Sequence, residues 1–104
     1  MGNMARRKGR AGQTVFAALL RARYWTVVDT SAGQAVEDVF AIDPDGAQWS
    51  VEVKNCRDIT QAHMRQARAQ AERRRARWML ASHIHGTSCW LVQRQGELPQ
   101  VWAG

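Results

Sequence analysis

The chain has 104 residues, enough for one hydrophobic core and little beyond it, and carries 15 Lys+Arg against 9 Asp+Glu, a formal net charge of +6. It contains no apolar run of about 18 residues, and its opening, MGNMARRKGR, has no hydrophobic segment, so neither a membrane span nor a secretion signal is expected. A cytoplasmic protein is the expectation, and a polyanion is its expected partner because the basic residues are clustered.

Residues 1–10 combine Gly and Asn with Arg6, Arg7, Lys8 and Arg10 and lack apolar periodicity; they read as a flexible basic arm before a single domain over 11–104. From Gln13 to Arg23 the apolar positions Val15, Phe16, Ala18, Leu19, Leu20 and Ala22 fall at helical spacing. Tyr24 to Val28 (YWTVV) is rich in aromatic and β-branched residues and predicts a strand. A turn-rich loop, Asp29 to Ala35, separates it from Val36–Asp43 (VEDVFAID) and Ala47–Lys54 (AQWSVEVK). The Pro44-Asp45-Gly46 connector between these two runs predicts a hairpin: Pro presets the first turn position and Gly takes the left-handed one.

Asp58 to about Arg75 is rich in Ala, Gln, Arg and Glu and predicts a long helix, with Asp58 or Thr60 as N-cap. Its Ala62, Ala67 and Ala71 allow close approach to a sheet, and Arg68, Arg73, Arg74, Arg75 and Arg77 form the second basic cluster. Trp78–His85 and Ser88–Arg94, joined by Gly86-Thr87, predict two further strands, and the tail from Gln95 is irregular with room for one edge strand. The order α-β-β-β-α-β-β predicts an α/β fold, a mixed sheet flanked by helices. Cys56 and Cys89 stand far apart with no CxxC partner and read as reduced thiols.

The hairpin register brings charged residues together. With Asp43 and Ala47 flanking the turn, counting back along both strands sets Asp38 opposite Glu52. Alternation puts Val36, Asp38, Phe40 and Ile42 on one face with Gln48, Ser50, Glu52 and Lys54, and turns Glu37 to the other. Directly opposed carboxylates, with Cα atoms about 5 Å apart, repel unless a cation stands between them. A divalent metal ion and the Lys54 ammonium are two remedies. A hard cation such as magnesium binds through one or two carboxylates and keeps waters, and an adjacent lysine stabilises charge developing on a phosphate. With the basic clusters, this pattern points to phosphodiester hydrolysis.

An Asp on one hairpin strand followed by Glu52-Val53-Lys54 on the next, then a glutamine-bearing basic helix, resembles the PD-(D/E)XK nuclease superfamily. Within it, the chain is similar to small phage and archaeal Holliday-junction resolvases and their virus-type relatives, over roughly Ala11 to Arg94 in element order. The resemblance implies a restriction-endonuclease-like sheet and a magnesium-dependent endonuclease, with manganese able to substitute, acting on branched or structured DNA as a homodimer. It implies metal ligation by Asp38, Glu52 and the Val53 carbonyl, and a catalytic role for Lys54. A helix glutamine is the further expected site residue, with Gln66 preferred over Gln70. Many resolvase-like members carry a glutamate on the first helix where this chain has Gln13. Arg6, Arg7, Lys8, Arg10, Gln13, Arg57, Gln70, Arg73 and Arg74 are the expected DNA contacts.

Blander readings stand beside these. Asp38, Glu52 and Lys54 also suit a salt-bridge cluster on an exposed sheet face, and the arginines a solvated helix surface. His63, His83 and His85 lack a metal-ligand spacing with a carboxylate or cysteine and read as ordinary surface or hydrogen-bonded residues. Trp49, on the face of Val51 and Val53, reads as core; Trp25, Trp78 and Trp90 follow similar strand logic, and Trp102 has no place in the pattern. Two other functions share the residues: a non-catalytic nucleic-acid-binding module of the same fold, and a nuclease for linear ends or nicks.

Overall fold

The computed structural model describes residues 2–28, 39–54 and 59–104, with side chains described from residue 12 onward. Within them the chain forms α1 (Gly2–Ala22), β1 (Thr26–Val28), β2 (Val39–Ile42), β3 (Gln48–Lys54), α2 (Gln61–Arg74), β4 (Arg77–His83), β5 (Trp90–Arg94) and β6 (Gln100–Trp102). The predicted order of helix, three strands, helix and two strands is present, and the tail supplies β6. Bounds differ in several places, three of them with a clear cause or consequence. The bounds of α1 run back through residues 2–10, which charge and lack of periodicity assigned to an arm; Ala, Arg and Lys there are good helix formers even without an apolar stripe. The strand expected from Tyr24 begins only at Thr26, because Tyr24 closes the helix instead. His85, placed on a strand by its sequence context, lies beyond β4.

Each helix ends by a defined hydrogen-bond pattern. At the end of α1 the Trp25 N–H donates to Leu20 O and the Tyr24 N–H to Arg21 O, both at 3.0 Å, with Tyr24 in the left-handed region at φ 68. Thr60 caps α2: its Oγ1 accepts from the His63 N–H while His63 Nδ1 accepts from the Thr60 N–H, each at 3.2 Å. That reciprocal box gives His63 a helix-starting role. Arg75, at φ 55, closes the other end.

The strands lie in the order β1-β2-β3-β4-β5-β6. Neighbours are antiparallel except β3 and β4, which are parallel because α2 carries the chain back across the sheet. The hairpin register is the predicted one: Val39 pairs with Val51, Phe40 with Ser50, Ala41 with Trp49 and Ile42 with Gln48. Gly46 takes φ 92 in the turn, and Asp43 ties the turn together. Its Oδ1 accepts from the Asp45 and Ala47 N–H groups and its Oδ2 from Trp49 Nε1, all at 2.9 Å.

The two faces of the sheet meet different helices. Val39, Ala41, Trp49, Val51, Met79, Ala81, Trp90 and Val92 turn toward α1 and form the main core with Phe16, Leu20, Trp25 and Trp102. Its aromatic rings are in contact, Phe16 with Trp90 at 5.0 Å between centroids and Trp25 with Trp49 at 5.8 Å. Trp102, unplaced by sequence, seals the β6 edge of this core: it stacks at 6.2 Å on Phe16, and the Arg23 guanidinium lies 3.9 Å over its ring. The other face carries Phe40, Ser50, Glu52, Trp78 and Leu80 under α2, whose Ala67 and Ala71 are buried against it.

Candidate active site

Glu52 and Lys54 are placed by the last turn of alternation in β3, a strand flanked on both sides. Their strand neighbours on β4 are Leu80 and Ser82, and Leu80 and Ser82 are themselves buried. Glu52 is 4% exposed, unlike the solvated residue of a surface salt-bridge cluster. Removing a carboxylate from water is costly unless a positive group or hydrogen bonds compensate, and Lys54 Nζ stands 3.9 Å from Glu52 Oε2. The lysine side chain is 24% exposed against 5% for the glutamate, so Glu52 forms the floor and Lys54 the open side.

α1 covers this place from the opposite face. A Cβ added to Gly12 would lie 3.6 Å from Val53 Cγ1, so the helix crosses β3 at the residue between Glu52 and Lys54. Gln13, expected where many resolvase-like proteins have a glutamate, is the next residue on that helix and is half-buried.

The two helix glutamines separate clearly. Gln66 is exposed, whereas Gln70 is half-buried and its Oε1 is buried without a hydrogen-bond partner among the described residues. The Arg74 guanidinium lies 5.0 Å over the Phe40 ring, and Phe40 pairs with Ser50. Since α2 runs back against β3, Gln70 stands one turn, about 5.4 Å, closer to the end of β3. Ser50 Oγ, on the same face, is also buried without a hydrogen-bond partner among the described residues. Ser50 and Glu52 on the sheet and Gln70 on α2 all carry buried polar atoms, and it is Gln70, not the preferred Gln66, that is turned inward. The signal was available: on a helical wheel centred between Ala67 and Ala71, Gln70 lies about 80° from the centre and Gln66 about 120°.

Asp38 and Arg57 lie outside the described residues, as do the side chains of Arg6, Arg7, Lys8 and Arg10. Arg73 and Arg74 are exposed at the far end of α2, toward the hairpin turn and away from Lys54. His83 packs at 5.2 Å on Trp90 and its Nε2 meets Thr87 O, so it belongs to the β4–β5 turn. Among the described residues no group of three or more His, Cys, Asp or Glu is gathered as a metal site. The described donors are therefore one buried carboxylate, Glu52, with the Val53 carbonyl beside it. One or two carboxylates completed by water suit a hard divalent cation, so these residues fit magnesium or manganese.

The architecture has a counterpart among solved structures. The fold is similar to that of an archaeal Holliday junction resolvase. The match is to Hjc of Archaeoglobus fulgidus, with a TM-score of 0.64 and 15% identity, covering 92% of this chain and 84% of that one. No family model and no curated protein matches the sequence. At that identity the likeness shows the fold alone. No helix among the described residues is long and apolar enough to cross a membrane.

Proposed function

We propose that this chain is a divalent-metal-dependent endonuclease acting on branched or structured DNA as a homodimer. The observation that carries the reading is a buried glutamate paired at 3.9 Å with a partly open lysine, in a fold similar to a resolvase. A decorated surface strand has no need to bury Glu52. In this reading Glu52, Asp38 and the Val53 carbonyl hold magnesium, which when bound polarises the phosphate and supplies an activated water. Lys54, on the open side, stabilises the charge developing on the phosphate oxygens. Gln70 rather than Gln66 is the helix glutamine of the site, because its Oε1 is buried while Gln66 is exposed. Gln13 closes the α1 side without supplying a charge. Arg6, Arg7, Lys8, Arg10 and Arg57, with Arg73 and Arg74 at the other end of α2, hold the phosphates of the duplex arms.

A cleavage panel tests this proposal. The chain is incubated with a four-way junction, a flap, a nicked duplex, a linear duplex and single strand, each with magnesium, manganese or calcium. Cutting of the junction with magnesium or manganese supports the proposal. Salt-sensitive binding without cleavage of any substrate supports a non-catalytic module instead, and cutting confined to ends or nicks redirects the substrate class.

A further inference from the structure

A second feature lies across α2 from Gln70. Between the outer flank of α2, the start of β4 and the β5–β6 turn is an open cleft of about 460 Å³, within the size range of small-ligand sites. Met64, Arg65, Arg68, Trp78, Gln95 and Gly96 line it. Trp78 sits beside the small Ala71 and Ala76. Gln95 Oε1 accepts from the Trp78 N–H at 3.2 Å and the Gln95 N–H donates to Trp78 O at 3.0 Å, which fixes the turn against the strand. With its oxygen engaged, the Gln95 amide has its N–H donors to offer. Arg65 and Arg68 are exposed on one side of the helix, Arg68 lying 3.4 Å from Glu72.

What singles out this cleft is the distribution of tryptophan. The chain has five; Trp25, Trp49, Trp90 and Trp102 are buried in the core, and Trp78 alone is only partly buried. A cleft that combines a partly open indole with two guanidinium groups on its helix wall is complementary to a planar base with its phosphates beside it. A purely apolar ligand would leave the arginines without use, and an inorganic anion would leave the indole without use. We infer that this cleft holds one unstacked nucleotide of a DNA strand, its base on Trp78 and its flanking phosphates on Arg65 and Arg68. The choice of DNA rests on the nuclease reading; the stacking does not depend on metal or cleavage.

The test is metal-free binding by the full chain, read as fluorescence anisotropy of labelled (dT)8 and of an octamer with the same phosphates but abasic sugars. Wild type should bind (dT)8 roughly 5- to 100-fold more tightly, the range of a single base stack. Trp78→Leu keeps apolar volume in the cleft and should abolish that preference, while Arg65→Gln with Arg68→Gln should weaken both octamers alike. Tyr24→Ala, which removes an exposed aromatic outside the cleft, should keep the preference. In wild type, an octamer of 5-bromodeoxyuridine should photo-cross-link to the peptide containing Trp78, a readout independent of any variant's folding. Equal affinity for the two octamers, or a cross-link confined to other peptides, would overturn the inference. No cleavage is measured, so the nuclease proposal can fail while this one stands, and the reverse.

Discussion

Glu52 and Lys54 share one face of β3 with 3.9 Å between Oε2 and Nζ, the acid inside and the base at the opening. That arrangement makes the lysine one of the groups that offset the burial of the acid. Removing Lys54 while keeping Glu52 should destabilise the fold by about 1–3 kcal/mol, since a buried charged group loses an ion-pair partner at 3.9 Å. Glu52→Gln should cost less, and the double variant should show a coupling of at least about 0.5 kcal/mol. Urea denaturation of the four proteins measures this. Strictly additive values would show the two groups to be independent.

Gln70 and Gln66 offer an internal comparison on one helix. Gln70→Ala should lower the single-turnover rate of junction cleavage by about tenfold to a hundredfold, the scale of a lost positioning contact. Gln66→Ala should leave it within about twofold. Equal effects, or the reverse order, would remove Gln70 from the site.

Asp43 provides a pH signature in the hairpin. Burial pushes its carboxyl up, but the bonds from Trp49 Nε1 and from the Ala47 and Asp45 amides, with the Arg77 guanidinium nearby, outweigh burial and hold it below the ordinary 3.8. The group therefore contributes stability that is fully present above the unfolded value and is lost as pH falls through the folded one. An NMR titration should show Asp43 ionised below pH 3.8. Asp43→Ala should cost about 1–3 kcal/mol near neutral pH, because three donors lose their acceptor, and less in acid. A penalty that does not shrink in acid would contradict this assignment.

Backbone strain can be relieved at the end of α2. Arg75 holds φ 55, a left-handed conformation that costs a side-chain-bearing residue roughly 1 kcal/mol. Arg75→Gly should raise thermal stability by about 0.5–1 kcal/mol, and Gly46→Ala at φ 92 should lower it by a similar amount. Calorimetry reads both, and a destabilised Arg75→Gly would mean the arginine side chain contributes more than its backbone costs.

Much of this structure was legible where local chemistry and global fold agree. Pro44-Asp45-Gly46 specified the turn, and the turn specified a register that the pairs from Val39–Val51 to Ile42–Gln48 reproduce. Alternation then assigned Trp49 and Val51 to the core. Legibility failed where tertiary contacts decide. Trp102 sits in a short polar tail, and only its packing on Phe16 and under Arg23 makes it core. The basic start of α1 has helix propensity without periodicity, so nothing in its apolar pattern announced a helix. Tyr24 looked like a strand residue because its left-handed turn is fixed by hydrogen bonds to Arg21 and by the neighbouring closure at Leu20. Gln66 and Gln70 are chemically identical; their difference was written in the positions of Ala67 and Ala71. Glu52 was placed on the right face by counting, but its burial depends on α2 lying over that face.

The most direct measurement is single-turnover cleavage of a four-way junction by wild type, Lys54→Ala and Glu52→Gln, with junction affinity measured in calcium. Wild type should cut in magnesium. Both variants should bind within a fewfold of wild type and cut at least about a hundredfold more slowly, the loss typical of removing a group that stabilises charge in the transition state. Cleavage by either folded variant at the wild-type rate would contradict the role assigned to the pair.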